Sequence, residues 1–481
     1  MTSTKRVVVL GAGLAGLRAA FHLVQRGYRV DVLEKLGEPG GMARSHERSG
    51  FVFDHGPHGF MSRDQWINDE FEEVVAPQGG WYGLTKWSQI HYREEYFDFP
   101  LKLRDILLKM SPLTLLATGF SFLWTRLRVT VRRRAPRNTE EYLTDQFGRA
   151  LYRVFFGPYT RKVWGVDPRV LDADFARDRV PTLHLWDVIR RMFRDPAKDQ
   201  SRTTPSGRVV THDLHAGYYP RRGAGALPRG YAARVADLGG SFHYRVRIEQ
   251  VDLARRVVTG QEDGVPFALP FDGLVSTIPL DRLVEALHPS PPPEIRTLAA
   301  ALRYRAILLV NLCVSKPRVI DPHWIYFTNR MFNRISEYRH FSPDLAPEGK
   351  TGICLELGAN EADELWNAED AEIVRRCVAD LEQLGLVRAD EVEDHFIIRE
   401  AHAYPLYDVG YAGRVQRLVE WLEGTAGILT GGRQGRFLYC NQDAAIKSGF
   451  EAAEALVKQL ETGVLEERAL WETRPRRKIV V

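Results

Sequence analysis

Cysteine is scarce in this chain. Four cysteines (Cys313, Cys354, Cys377 and Cys440) are scattered through 481 residues without a close pair. That excludes a disulfide-stapled scaffold and reads as reduced thiols in a cytoplasmic compartment. A one-sided charge is lacking too. The formal net charge is +4, so no nucleic-acid partner is implied. Met1 to Lys5 is too short and too polar for a signal peptide. The apolar stretch Leu113 to Trp124 is too short to span a bilayer. His212 and His215 stand at a metal-like spacing, but no acid or cysteine cluster accompanies them, so no metal site is expected. No internal repeat is visible. What remains is an ordinary globular composition, 44% hydrophobic and 27% charged, long enough for two or three domains.

What is present begins at Val7. The β-branched run Val7-Val8-Val9-Leu10 leads into Gly11-Ala12-Gly13-Leu14-Ala15-Gly16 and a helix-forming run through Leu23. A second strand, Tyr28 to Leu33, ends on Glu34. This is a βαβ unit with the glycine spacing of a dinucleotide fold. Gly11 permits the tight turn, Gly13 a close approach to a pyrophosphate, and Gly16 close packing of helix on strand. The amides of Leu14 and Ala15 open the helix, whose N-terminus attracts phosphate. Glu34 would accept hydrogen bonds from a ribose. The fold class is therefore α/β.

The next residues narrow the cofactor. After Glu34-Lys35 comes Pro39-Gly40-Gly41-Met42-Ala43-Arg44, and then the short strand and turn Gly50-Phe51-Val52-Phe53-Asp54-His55-Gly56-Pro57-His58. These motifs resemble the FAD-dependent amine oxidase and protoporphyrinogen oxidase superfamily. The resemblance implies a Rossmann-like FAD-binding domain of the glutathione-reductase type with an inserted α+β substrate domain. It implies that Gly41, Met42 and Ala43 carry the chain along FAD, with Lys35 close by. Arg44 would then lie near the phosphates, and Gly56, Pro57 and His58 against the flavin ring.

Between Trp81 and Leu107 aromatics and charges mix, and a β-hairpin is expected to turn at Arg93-Glu94-Glu95. The aromatics here read as a small domain's core, the alternative being a surface that stacks on a flat ligand. Leu113 to Trp124, followed by Arg126, Arg128, Arg132, Arg133, Arg134 and Arg137, reads as a buried helix and a solvated basic loop. The alternative is an interfacial amphipathic helix touching a membrane surface. A helix is expected from Thr139, and a polar mobile loop over 195–210. Pro289 to Pro293 reads as a stiff linker.

The segments around Pro158-Tyr159-Thr160-Arg161-Lys162-Val163-Trp164 and Arg177-Asp178-Arg179-Val180 are most like UDP-galactopyranose mutase of the eukaryotic type, with Arg179 fifteen residues after Trp164. Phe332-Asn333-Arg334 through Ser342-Pro343 and Ala403-Tyr404-Pro405 continue that likeness. It implies Arg179 and Arg334 at a substrate diphosphate, His58 at the reacting centre, and Tyr159, Trp164, Tyr326, Tyr404 and Tyr439 as substrate-binding residues. Two departures weaken it: Thr160 replaces an asparagine, and Leu214 to Tyr218 replaces an Asn-Ala-Thr-Phe segment. Val246 begins a strand that the resemblance places at the adenine. Gly431-Gly432-Arg433 and Asn441-Gln442-Asp443 precede a helix to Leu460, with Asp443 as its expected N-cap. A helix N-terminus aimed at the flavin favours its reduced, negatively charged form.

The expected organisation is an FAD domain from 1–80, 211–285 and 425–465. A substrate domain follows from 81–210 and 295–424, with a tail over 466–481. The resemblance implies a mutase-like isomerase that acts on a nucleotide sugar or similar glycosyl diphosphate, with reduced flavin N5 as nucleophile and an external reductant such as NAD(P)H. The alternative is an FAD-dependent oxidase or desaturase that takes hydride from a lipid-like or tetrapyrrole substrate.

Overall fold

A computed structural model describes residues 4–99, 109, 111–131, 134–179, 202–203, 209–210 and 216–464. His212, His215, most of the segment 195–210 and the tail 466–481 lie outside the described residues.

The first strand, β1 (Arg6–Leu10), sits in the middle of a five-stranded parallel sheet. On one side are β2 (Arg29–Leu33) and Ser241–His243; on the other are Gly273–Ser276 and Ile428–Thr430. The helix α1 (Leu14–Gln25) crosses over between β1 and β2 and is buried along nearly its whole length. It lies against the helices Ala226–Asp237 and Gln442–Thr462. Gly449 makes the second contact close, because a Cβ there would stand 2.0 Å from the Ala15 carbonyl oxygen. A separate meander, Val246–Asp252, Val257–Glu262 and Val265–Pro270, continues from the third strand.

The larger sheet has seven strands. In spatial order they are Val392–Pro405, Tyr304–Val314, Thr351–Ala359, Arg334–Glu337, Trp324–Phe327, Ser88–Tyr92 and Glu95–Phe99. Every pairing is antiparallel except Trp324–Phe327 on Ser88–Tyr92. The hairpin predicted near Arg93 is there, with a two-residue turn in which Arg93 and Glu94 both take positive φ. Period-two alternation gives the sheet two different faces. Leu308, Val310, Leu312, Ile353 and Leu355 pack with Cys377 and Leu381 of the helix Asp370–Gln383. Ile307, Leu309, Cys313 and Cys354 pack instead with Phe51, Phe53 and Tyr338. That second face looks toward the glycine loops. All four cysteines are buried and free.

Three expectations need correction. The helix Pro112–Val131 does not bury its apolar residues: Leu113, Leu116, Phe120, Leu123 and Trp124 are exposed. Hydroxyl residues occupy its inner side instead, and Thr125 is buried. The hairpin aromatics are not all core, since Trp87 and Phe99 are exposed while Phe97 is buried. Asp443 is not the cap of the last helix. Asn441 holds that position with extended backbone, and Asp443 lies in the first turn, where a carboxylate still favours the positive dipole end.

Candidate active site

The glycine loop forms a cradle at the C-terminal end of the parallel sheet. Gly11 has φ +96°, and a Cβ there would meet Thr277 Oγ1 at 2.6 Å. At Gly16 a Cβ would fall 1.9 Å from the Gly11 carbonyl oxygen. Both glycines are required by packing. Gly13 differs: nothing lies within 4 Å of a Cβ built on it, so its surface is open. It precedes Leu14 and Ala15, whose amides begin α1 without a side-chain cap. Gly41 packs against Gly13, since a Cβ built on Gly41 would stand 3.3 Å from the Gly13 Cα. Gly432 faces Ala15, where a Cβ would come within 2.7 Å of the Ala15 side chain.

Glu34 is buried at the end of β2. Its carboxylate accepts from the Ala12 amide at 2.8 Å and the Leu36 amide at 3.0 Å. It therefore ties the glycine loop to the second strand, and its remaining lone pairs can accept from a ribose. Val246 is buried, and its amide donates to the Glu34 carbonyl at 2.9 Å. Lys35 is exposed beside it. Arg44 is buried, with Nη2 3.1 Å from Nδ1 of His55, and its Nε has no hydrogen-bond partner in the protein. Gln442 Nε2, in the first turn of the last helix, is likewise buried and unmatched. Open space at Gly13, free first-turn amides and unmatched donors at Arg44 and Gln442 fit FAD, whose phosphates and polar ring edge supply acceptors.

Beyond the cradle lies a small cavity lined by Met42, His55, Gly56, His58, Ile307, Leu309, Arg334, Glu356 and Tyr404. Its floor is the sheet face described above. Tyr326 pairs with Arg334, Arg334 with Glu356, and Glu356 with Leu309, so one cross-strand row runs across four strands. Arg334 Nε donates to Glu356 at 2.6 Å, and its guanidinium lies 5.8 Å from the ring centres of both Trp324 and Tyr326. Burial alone would weaken the Arg334 charge, but Glu356 holds its pKa well above the ordinary value.

The predicted aromatic residues converge here. Tyr159 packs edge-on to Tyr326 at 6.1 Å. Trp164 meets Tyr404 at 5.6 Å and Tyr439 at 6.3 Å, and Tyr404 meets Tyr439 at 5.5 Å. Arg433 lies 5.3 Å from the Tyr404 ring centre and 5.5 Å from that of Tyr439. Its guanidinium donates to the Cys440 and Ala403 carbonyls, which fixes the turn before the last helix. Burial drives the Tyr159 and Tyr404 phenols far above their usual range, so both stay protonated and keep an O–H to offer a guest. Burial, with Arg433 and Arg334 nearby, holds the His58 imidazole down to about 3, so it is neutral at physiological pH. The Gly56–Pro57–His58 turn depends on Gly56, at φ +84°. Arg179 closes the helix Ala173–Arg179, and its side chain lies outside the described residues.

Sequence reading missed Glu356, His55, Glu400 and Lys86. Glu356 is the single charged residue in the apolar strand Thr351–Ala359, a signal that was there to be read. His55 Nε2 lies 3.4 Å from Glu400. Burial works against the Glu400 charge, yet His55 holds its carboxyl down to about 2. Lys86 is lowered by burial and offset by Asp443. Nothing local in the sequence links these residues. Among the described residues no His, Cys, Asp and Glu cluster could hold a metal, and no helix is long and apolar enough to cross a membrane.

Known proteins are similar to this chain in sequence and in fold. The chain is 27% identical to phytoene dehydrogenase of Streptomyces griseus over 311 residues, covering 62% of this chain and 59% of that protein. It is 21% identical to protoporphyrinogen oxidase 2, chloroplastic/mitochondrial, of Arabidopsis thaliana, covering 96% of this chain and 95% of that one. The fold superposes on a crystal structure of reduced UDP-galactopyranose mutase with a TM-score of 0.79 and 22% identity, over 98% of this chain and 97% of that chain. The match to the family of flavin containing amine oxidoreductases extends over residues 14–457, from the first residue of α1 into the last helix. The chain is an FAD-dependent enzyme and belongs to the flavin containing amine oxidoreductases.

Proposed function

We propose that this enzyme is an oxidoreductase that removes hydride from an uncharged, largely apolar substrate. The observation that carries this reading is the Arg334–Glu356 pair in the floor of the chamber. A diphosphate clamp needs an arginine whose charge is available. Here Arg334 is already neutralised, and an incoming phosphate would also face Glu356. Two like charges about 4 Å apart repel by about 4 kcal/mol at an effective dielectric of about 20. That offsets much of what Arg334 could contribute. Arg433 directs guanidinium donors to backbone carbonyls. The chamber is otherwise lined by Met42, Gly56, Ile307 and Leu309, the Tyr404 ring and the imidazoles of His55 and His58, and none of these adds a carboxylate or a guanidinium for a diphosphate. Desaturase and protoporphyrinogen oxidase relatives are consistent with this reading.

FAD, when bound, supplies the hydride acceptor. Gly11, Gly13, Gly16, Glu34, Arg44, Gly41, Gly432 and the N-terminus of the last helix would hold it. His58, neutral at working pH, would offer a hydrogen bond without adding charge. Tyr159 and Tyr404 would position the substrate as donors. Glu356, fixed by Arg334, would accept the proton lost from the carbon adjacent to the hydride donor. The domain division into an FAD half and a substrate half is part of the same reading.

A second reading, mutase-like isomerisation of a glycosyl diphosphate, is favoured by the gathering of Tyr159, Trp164, Tyr326, Tyr404 and Tyr439 around Arg334. One anaerobic experiment separates the two. Oxidised holoenzyme is mixed with polyene, isoprenoid and tetrapyrrole substrates, and with UDP-sugars. Loss of the yellow colour on substrate addition, with one acceptor consumed per product, supports the oxidoreductase. Turnover of a UDP-sugar only after prior reduction by dithionite or NAD(P)H, with no net reductant consumed, refutes it.

A further inference from the structure

The helix Pro112–Val131 is inverted relative to an ordinary surface helix. At 100° per residue, Leu113, Leu116, Phe120, Leu123, Trp124 and Val131 fall within an arc of about 100°. These six residues are between 60% and 81% exposed. The hydroxyl residues Thr114, Thr118, Ser121 and Thr125 lie on the opposite, inner side. Thr118 donates to the Thr114 carbonyl at 2.8 Å, and Thr125 to the Ser121 carbonyl at 2.7 Å. Ser121 accepts from the Ala150 amide at 3.0 Å, and Gly148 lies against the Phe122 backbone. The helix is thus seated on the body of the protein by its small polar face. Its large apolar side chains point away. A contiguous apolar face of this kind marks an interaction surface.

Charge selects the partner. From Ile106 to Asn138 the chain carries Lys109, Arg126, Arg128, Arg132, Arg133, Arg134 and Arg137, and no Asp or Glu. Arg128, Arg134 and Arg137 are exposed. A second copy meeting this face with its own would bring more cations and no counter-charge from the same stretch. A sheet of anionic head groups over hydrocarbon answers both features at once. The helix is too polar overall to cross a bilayer, so it would lie in the plane of one. We propose that Pro112–Val131 is a membrane-docking helix that seats the enzyme on anionic lipid, Leu116, Phe120 and Trp124 entering the acyl boundary and the arginines lying among the phosphates.

The proposal goes beyond the reaction and holds whichever chemistry the flavin performs. The test uses holoenzyme and sedimenting vesicles of phosphatidylcholine alone or mixed with phosphatidylglycerol. Wild type should pellet with the anionic vesicles at low salt and be released as salt rises past about 0.5 M, where the Debye length is a few ångströms. Tryptophan emission should shift to the blue with vesicles, and Trp124→Phe should remove most of that shift. Leu116→Asp with Phe120→Asp should weaken vesicle binding by about tenfold or more, with flavin content and Tm unchanged. Pelleting that is absent in wild type, or equal in the double variant, overturns the proposal. So does a solution dimer, seen by light scattering without lipid, that the same double variant dissociates.

Discussion

Consider removing the charge of Glu356 while leaving its shape, with Glu356→Gln. The side chain is 9% exposed and that of Arg334 19%, so the pair is largely removed from water. Breaking one partner of such a pair leaves the other as an uncompensated buried charge, a cost of about 3–5 kcal/mol. Arg334→Met should cost a similar amount. The double variant Arg334→Met with Glu356→Leu should recover most of it, because a buried pair replaced by apolar groups of like volume is often neutral. Unfolding entropy of about 2 cal/mol/K per residue makes each kcal/mol worth about 1 °C if the whole chain melts together. Each single variant should therefore lower the melting temperature by about 3–5 °C, and the double variant by much less. Differential scanning calorimetry on holoenzyme measures all three against wild type. A proton-accepting role adds a second readout: Glu356→Gln should cut kcat by about 10²–10⁴, and Glu356→Asp should restore part of it along with the pH profile. Additive losses in the double variant would refute the buried-pair reasoning. Undiminished turnover in Glu356→Gln would refute the proton-accepting role.

Other outcomes follow from the same structure. Gly13→Leu should abolish FAD retention without unfolding the chain, since its side chain would enter the open cradle rather than strike the protein; flavin absorbance after gel filtration measures it. Gly449→Val should destabilise strongly, because its Cβ would overlap the Ala15 carbonyl, and should shift the thermal transition even in apoprotein. Acidification should weaken the fold. His46 and His323 are held down to about 4, and His58 to about 3, chiefly by burial. Such groups bind protons more readily unfolded, so their contribution is full above about pH 6.5 and falls away toward those lower values, at about 1.4 kcal/mol per pH unit for each histidine. Asp54, pushed up to about 6 by burial, acts oppositely between about 4 and 6, whereas His340, raised by Glu337 against the effect of burial, loses its contribution only as pH rises above about 6.5. The three histidines outweigh Asp54, so denaturant midpoints should rise from pH 4 to pH 6.5, and a flat profile would contradict the assignment.

Much of the cofactor half was legible because its signals are local. The βαβ unit needs glycine at positions where a Cβ meets backbone, and Gly11 and Gly16 are two such positions. The hairpin at Arg93 was legible for the same reason: alternation and a charged turn lie within a dozen residues. The helix Pro112–Val131 was readable as a helix but not as an exposed one. Apolar periodicity reports that one side is hydrophobic, and it cannot report what that side faces. The cap of the last helix was misassigned by two residues, because Asn441 and Asp443 are both good capping residues and only backbone dihedrals choose between them.

The sequence by itself determined the dinucleotide cradle, the FAD motifs and the set of aromatic residues near Arg334. The cradle follows from short-range sterics, glycine where backbone must approach backbone; the FAD motifs and the aromatic set follow from the family resemblance that those motifs carry. Only the tertiary structure decided what Arg334 does. Its partner Glu356 is twenty-two residues away along the chain and directly opposite on the neighbouring strand. A shift of one residue in that register would have turned Glu356 to the helix-covered face and left Arg334 available to a phosphate. Register is set by the packing of Ile307, Leu309 and Cys354 on one face and Leu308, Val310 and Leu355 on the other. It is a property of the assembled sheet, and no single strand carries it.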